Sequence, residues 1–280
     1  MVTILDGIKP ANEIKTAIKR QIIENNLEPG LAVILVGDNP ASEVYVKGKQ
    51  KDCNECGIKS TVYRLPWDIE EANVVQLVKE LNATESIHGI LVQLPLPKGI
   101  CENKVTQAIC PSKDVDSFTY LNVGRVATGE SGFEPCTPAG VIVLLDYYNI
   151  NVEGKHVVVV GRSNIVGKPL ALMLLRRNAT VTVCHSYTED LEYITSQADI
   201  LISAVGQACL IRGIMAKDEA VVIDVAMNRN EQGKLCGDVD FDSVSKIASA
   251  ISPVPGGVGP MTRAILMRNT FKAALAAKID

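Results

Sequence analysis

Tyr45 and Lys49 stand four residues apart in a stretch of helical character, so their side chains share one face a single turn apart and can point together into a cavity. A lysine held there can move protons, and a tyrosine can cover a flat ring. From the pair alone, the plainer reading is favoured: a solvated lysine beside a half-buried tyrosine. Two further stretches add weight to the chemical one. Gln93 follows the apolar run Gly89-Ile90-Leu91-Val92 and precedes Leu94-Pro95-Leu96-Pro97, which puts an amide at the carboxyl end of a buried strand, the edge where α/β sheets keep ligands. Lys113-Asp114-Val115-Asp116 then places two carboxylates in a loop, and one of them can accept a pair of hydrogen bonds from a planar amidine-like edge. Paired carboxylates also suit a metal, but no third carboxylate or nearby His completes a ligand set, so no metal site is expected.

A second constellation lies further on. After Val157-Val158-Val159-Val160 comes Gly161-Arg162-Ser163-Asn164-Ile165-Val166-Gly167-Lys168-Pro169, which leads into an apolar helix. Strand, glycine turn and helix start are what a pyrophosphate needs, because glycines admit the backbone closely and helix N-terminal amides face the anion. The spacing is neither GxGxxG nor a P-loop, since five residues separate Gly161 from Gly167 and Pro169 takes the Ser/Thr position. A tight turn without ligand is the plain alternative. The next strand ends Cys184-His185-Ser186, with no carboxylate to grip a ribose 2′-hydroxyl. With Arg162 and Ser163 in the first loop, a 2′-phosphate would meet a cation and hydroxyl donors, which favours NADP over NAD. Glu189 and Asp190 follow shortly and can equally be ordinary first-turn residues of the next helix.

These groups need elements to hold them. Ile14, Ile18 and Ile22 recur at helical spacing, Ala32 to Val36 is a continuous buried-strand run, and further helices are expected over 40–56 and 70–81, with strands over 60–64 and 89–92. Residues 111–138 lack regular period and are rich in Gly, Asp, Thr and Pro, so a loop and domain crossing is expected there. A helix over 139–148 precedes a second α/β set: strands over 156–160, 180–183, 199–204 and 220–225, and helices over 169–177 and 189–196. A last helix carries Ala264, Met267, Phe271 and Ala274 on one face. The expected fold is α/β with two domains and a cleft between them: a catalytic domain of residues 1–138 plus the C-terminal helix 260–280, and a Rossmann-like dinucleotide domain of residues 139–259.

Composition agrees with a small-molecule enzyme. The 280-residue chain is 47% hydrophobic with a net charge of -4, so it has ample core and no basic field for nucleic acid. Its longest apolar stretches fall far short of the roughly 20 residues that span a bilayer. Met1-Val2-Thr3-Ile4 does not resemble a secretion signal, so a cytoplasmic location is expected, and the eight cysteines should stay reduced. Cys53 and Cys56 form a lone CxxC that reads best as two small apolar residues on one helix face.

Five blocks, Ala41-Ser42-Glu43-Val44-Tyr45-Val46, Gly89 to Pro97, Lys113 to Asp116, Gly161-Arg162-Ser163 and Pro253 to Thr262, resemble in sequence and order the signatures of the bifunctional methylenetetrahydrofolate dehydrogenase/methenyltetrahydrofolate cyclohydrolase family. The resemblance spans nearly the whole chain and implies roles. Lys49 would be the general acid/base at the one-carbon centre, Gln93 would orient it, Tyr45 would stack on the folate rings and Asp116 would anchor the pterin edge. Gly161, Arg162, Ser163, Gly167, Ser186 and Thr137 would serve the dinucleotide. Pro255, Gly256, Gly257, Gly259 and Pro260 would shape the wall where substrate meets nicotinamide. Tetrahydrofolate one-carbon derivatives are the implied partners, with a homodimer formed through the nucleotide domain. Four positions depart from the family's common pattern: Ser117 for Gly, Ala226-Met227 for Gly-Ile, and Ser252 for Thr. The added methyl of Ala226 could narrow the nicotinamide pocket. A hydroxy-acid dehydrogenase would share the nucleotide domain but not need the Tyr45/Lys49/Gln93 set. A non-catalytic dinucleotide sensor would bind cofactor without folate chemistry.

Overall fold

Runs of β-branched and aliphatic residues become strands, and stripes at helical spacing become helices, in the computed structural model, which describes residues 2–230 and 232–279. Met1, Glu231 and Asp280 lie outside the described residues, although the expected domains run from 1 to 280, and so does the side chain of Ala41. The chain opens with β1 (Thr3–Ile4) and α1 (Ile8–Glu24), then alternates β2 (Gly30–Val36), α2 (Pro40–Cys56), β3 (Lys59–Leu65), α3 (Glu71–Ala83) and β4 (Gly89–Val92). Three helices follow, α4 (Glu102–Gln107), α5 (Tyr120–Thr128) and α6 (Cys136–Tyr147). A second alternation comprises β5 (His156–Val160), α7 (Gly167–Leu175), β6 (Thr180–Cys184), α8 (Leu191–Thr195), β7 (Ile200–Ser203) and β8 (Val221–Asp224). A small hairpin, β9 (Asn228–Arg229) with β10 (Leu235–Cys236), leads to α9 (Phe241–Val244), β11 (Ala250–Ile251) and α10 (Val258–Ile279).

Two compact units result, one of Asn12–Glu134 with Arg263–Asp280 and one of Met1–Ala11 with Pro135–Thr262. In the first, a parallel sheet has the order β3-β2-β4. Every residue of β2 is buried, as its unbroken apolar run requires of a central strand. Ala32, Ile34, Val36, Ile90 and Val92 pack with Val74, Val78 and Leu81 of α3 and Val105 of α4. In the second, six strands run parallel in the order β1-β11-β8-β7-β5-β6. Val158, Val160, Leu201, Val222 and Ile251 form one face with Ile211, Met215 and Val244.

Both sheets reverse their winding at one strand. From β2 the chain steps to β3 on one side and returns to β4 on the other, and from β5 it steps to β6 and returns to β7. Each reversal opens a crevice at the carboxyl end of that strand, the usual ligand position in open parallel sheets.

The structure differs from the expected division and loop assignment in three respects. Residues 2–11 do not join the first unit, because β1 pairs parallel with β11 (Thr3 with Ala250, Ile4 with Ile251). The crossings fall at 134/135 and 262/263 rather than 138/139 and 259/260, since α6 already starts at Cys136 and α10 at Val258. Residues 111–138 are not all loop: α5 lies within them. Its burial rests on Asn122 and Val126, one of them polar, and Gly129 takes a left-handed φ of 83° to end it, a helix stop that reads in sequence as a loop signal.

Candidate active site

α2 presents Tyr45 and Lys49 on one face, and both are half-buried. Lys49 Nζ donates to Gln93 Oε1 at 3.0 Å. Gln93 itself is fixed twice, its backbone N–H donating to Ile34 O at 2.9 Å and its Nε2 to Leu94 O at 2.9 Å. Since β2 pairs with β4, Gln93 sits at the first sheet's winding reversal, so the amine and the amide meet where a ligand would enter. With its nitrogen tied to Leu94, the amide offers its oxygen to the ammonium and holds that group in place.

The Lys113–Asp116 stretch runs beside β4. Ile90 N–H donates to Lys113 O at 2.8 Å, and Ile90 and Asp114 form a parallel bridge, after which the chain turns at 115–116 and Ser117 N–H donates to Asp114 O at 3.1 Å. Gly89 allows this approach, because a Cβ there would press into Val115. The other polar members of the stretch are committed elsewhere. Lys113 Nζ donates to Thr84 O at 2.8 Å and to Leu81 O at 3.3 Å, capping α3, and burial lowers its pKa. Asp114 is buried and accepts from Thr119 N–H (2.7 Å), Phe118 N–H (3.1 Å) and Asn122 Nδ2 (3.0 Å), so it builds the turn into α5. Asp116 is the half-buried carboxylate of the pair. Ser117 follows it with φ 62°, a left-handed backbone that glycine adopts without strain, and its hydroxyl donates to Phe133 O at 2.8 Å.

Sequence reasoning missed the groups beneath this face. Asp52, 3% exposed and one turn beyond Lys49, accepts from Lys15 Nζ of α1 at 2.8 Å and from Arg263 Nε of α10 at 2.5 Å. One carboxylate thereby clamps α2 to two helices. Arg263 also passes close to Gly48 and lowers the Tyr45 pKa, while burial, the larger effect, raises it. Asp52 and Arg263 lie 211 positions apart, a separation that no local pattern bridges. Cys53 and Cys56 are buried and unpaired as a disulfide, and burial pushes each thiol up to about 12, which makes them unreactive packing residues.

In the second unit, Gly161 has φ 123°, and a Cβ would overlap Ala204 O. At Gly167 a Cβ would overlap Gly161 O, so both glycines are demanded by the turn's closeness. Ser163 Oγ accepts from Val166 N–H at 3.2 Å and Gly167 N–H at 3.4 Å, covering amides at the start of α7. Val160 pairs with Cys184, so the loops after β5 and β6 lie side by side. There the Arg162 guanidinium lies 5.5 Å from the centroid of the exposed Tyr187 ring, next to the exposed Ser186. Glu189 is exposed and Asp190 precedes α8 with a left-handed φ of 48°, so neither sits at the end of β6 where a ribose would be gripped. Thr137, at the start of α6, accepts from Thr262 Oγ1 of α10 at 3.1 Å.

The stretch 253–260 is held by its backbone. Gly257 N–H donates to Pro253 O and Gly7 N–H to Gly256 O, both at 2.9 Å, and Gly256 takes φ 110°. Pro255 is exposed, Gly257 is buried, and Gly259 and Pro260 form the first turn of α10. Three of the four departures lie in this unit: Met227 Cε lies within van der Waals reach of Gly259, Ala226 N–H donates to Asp224 Oδ1 at 3.2 Å, and Ser252 Oγ accepts from Asp224 N–H at 2.8 Å. Among the described residues no His/Cys/Asp/Glu cluster could hold a metal ion, and no helix is long and apolar enough to cross a membrane.

Two family models match the chain, "Tetrahydrofolate dehydrogenase/cyclohydrolase, catalytic domain" over residues 5–116 and "Tetrahydrofolate dehydrogenase/cyclohydrolase, NAD(P)-binding domain" over 135–278. The chain belongs to the tetrahydrofolate dehydrogenase/cyclohydrolase family. It is 56% identical over 280 residues to the bifunctional protein FolD of Geobacillus kaustophilus (strain HTA426), covering 98% of this chain and 99% of that one. The crystal structure of the bifunctional FolD from Campylobacter jejuni matches with TM-score 0.96 and 52% identity, covering 99% of each chain. The Trypanosoma brucei methylenetetrahydrofolate dehydrogenase-cyclohydrolase, complexed with NADP cofactor and inhibitor, matches with TM-score 0.95 and 35% identity, covering 100% of this chain and 99% of that one. In this family member the NAD(P)-binding match extends to residue 278, yet from Arg263 onward α10 belongs to the first unit, where Arg263 binds Asp52.

Proposed function

We propose that the protein oxidises 5,10-methylenetetrahydrofolate to 5,10-methenyltetrahydrofolate with NADP and hydrolyses that product to 10-formyltetrahydrofolate. The observation that carries the reading is the Lys49–Gln93 hydrogen bond at the winding reversal of the first sheet, in a chain of this family. The first unit is then the folate-binding catalytic domain and the second the NADP-binding domain.

The methylene carbon lies between two nitrogens whose lone pairs stabilise the cation left when the hydride departs, so the first step needs orientation more than acid catalysis. Tyr45 covers the folate rings and Asp116 accepts two hydrogen bonds from the pterin edge. A nicotinamide held by the second unit would supply the hydride acceptor. In the second step water adds to the methenyl carbon and protons must move as the ring opens. Lys49 moves them: a cationic ligand disfavours a second positive charge beside it, which eases release of the ammonium's proton. Gln93 keeps Nζ aimed at the carbon.

The donor set of the second unit fits NADP. Gly161 and Gly167 admit the pyrophosphate, Arg162, Ser163 and Ser186 offer a cation and hydroxyls to phosphate oxygens, and no carboxylate ends β6 to repel a 2′-phosphate. Thr137 completes the cofactor set, and Pro255, Gly256, Gly257, Gly259 and Pro260 form the wall beside the nicotinamide. A homodimer through the NADP-binding domain and a cytoplasmic location complete the reading.

The test is spectrophotometric. Methylenetetrahydrofolate with NADP should give reduced cofactor and then 10-formyltetrahydrofolate, faster than with NAD. Turnover of small hydroxy acids instead, or cofactor binding with no folate-dependent absorbance change, would replace the reading with a hydroxy-acid dehydrogenase or a sensor.

A further inference from the structure

A second buried carboxylate system lies at the carboxyl edge of the six-stranded sheet. Asp238, fully buried, accepts five donors: Ser203 Oγ at 2.9 Å, Val205 N–H at 2.7 Å, Gly206 N–H at 3.0 Å, Gln207 N–H at 2.8 Å and Asn228 Nδ2 at 3.0 Å. Three successive amides of the loop after β7 thus turn inward onto one carboxylate. Its own backbone is set by Asp224, whose carboxylate accepts Asp238 N–H at 3.0 Å and Val239 N–H at 2.8 Å. Gly237 permits that approach, because a Cβ there would overlap the Asp224 carboxylate.

The loop so held borders the dinucleotide turn. β7 and β6 flank β5 at the winding reversal, and Ala204 O is the atom that a Cβ on Gly161 would strike. The path of residues 204–207 therefore fixes how closely the Gly161 turn can fold. A nest of consecutive amides is a ready anion site, but here the protein's own carboxylate fills it. The loop cannot use these amides on a cofactor phosphate. What it offers outward is shape and an apolar surface, with Val205 44% exposed at its rim.

We propose that Asp238 is a positioning residue for the dinucleotide, holding the 204–207 loop in the one shape against which the Gly161 turn and cofactor fit. The inference rests on the dinucleotide reading above. It implies that Asp238 acts on NADP and NAD alike, since the 2′-phosphate meets other residues.

Asp238→Asn keeps the side chain's shape but exchanges one acceptor oxygen for a donor that must face amide or hydroxyl donors. Calorimetric titration of the full-length variant should show NADP and NAD affinities falling by the same factor, at least about tenfold. Hydrolysis of methenyltetrahydrofolate should fall by a smaller factor than dinucleotide affinity. Amide exchange at residues 205–207 should quicken while that of Val157–Val160 does not. A folded variant with wild-type dinucleotide affinity, or equal losses in affinity and hydrolysis, would overturn the proposal. Should Asp238→Asn not fold, Asn228→Ala and Ser203→Ala each remove one donor and keep the carboxylate. Each should weaken both dinucleotides about threefold, and no change in either would overturn it as well. Wild-type protein that binds neither dinucleotide would instead refute the functional reading.

Discussion

The two winding reversals solve the same problem with opposite materials. At the first, the groups proposed to meet the ligand are side chains, Tyr45 and Lys49 on a long helix, Gln93 at a strand end and Asp116 in a turn, with the helix clamped by ions from beneath. At the second, the surface is largely backbone: glycines that cannot carry a Cβ, and loop amides pinned inward by a buried carboxylate. A side-chain site changes its chemistry when one atom type changes, whereas a backbone site loses its shape when any bulk is added. Substitutions at the two should therefore fail in different ways.

The largest effect is expected at Lys49. Lys49→Met should reduce methenyl hydrolysis by about 10²–10⁴-fold, with both ligands still bound. Unchanged turnover would break the comparison at its first term. Gly161→Ala should act on shape alone, costing about 2–4 kcal/mol of stability in chemical denaturation, with dinucleotide affinity falling more than hydrolysis. A variant as stable as wild type would show that the turn yields, and that backbone closeness is not what defines this site.

Titration sharpens the contrast next. Burial pushes the Asp224 carboxyl up to about 7, with the Asp238 charge adding to it, although three backbone amides pull the other way. An unfolded aspartate titrates near about 3.9. Between those values the folded chain holds a proton that the unfolded chain has released. This group therefore favours the fold at acid pH, and its contribution is lost as pH rises through about 7. Comparing denaturation from about pH 4 to pH 8, Asp224→Asn should lack this component, at most about 3–4 kcal/mol. Parallel pH curves for the two proteins would exclude it.

Beneath the side-chain site, Asp52→Ala should cost about 2–3 kcal/mol by taking the acceptor from Arg263 and leaving Lys15 with Glu55 alone, with hydrolysis falling further than global stability predicts as α2 loosens. Intact kinetics would mean that the clamp serves the fold only. Smallest is Ser117→Ala, which keeps the left-handed backbone but removes the hydroxyl from Phe133 O, for about 1 kcal/mol in thermal unfolding.

What could be read in advance follows the same division. Ala32–Val36 and Val157–Val160 announce central parallel strands because both faces are buried, and the spacing of Tyr45 and Lys49 follows from helical period. Gly161 and Gly167 are visible because only glycine fits so close a turn. The Asp52 clamp and the Asp238 anchor were not legible. An ordinary aspartate in a sequence gives no sign of the distant donors that will surround it, and those of Asp238 lie up to 35 positions away. The two-residue strands β1 and β11 are too short to show a period, and α5 hides behind a buried asparagine.

The pairing of Thr3–Ile4 with Ala250–Ile251 has a consequence for biosynthesis. The segment translated first among these strands must wait through nearly 250 residues of synthesis before its neighbour exists. Until then one margin of the growing sheet lacks its final strands and exposes backbone donors and acceptors, a stage at which the nascent chain is open to pairing with a foreign edge.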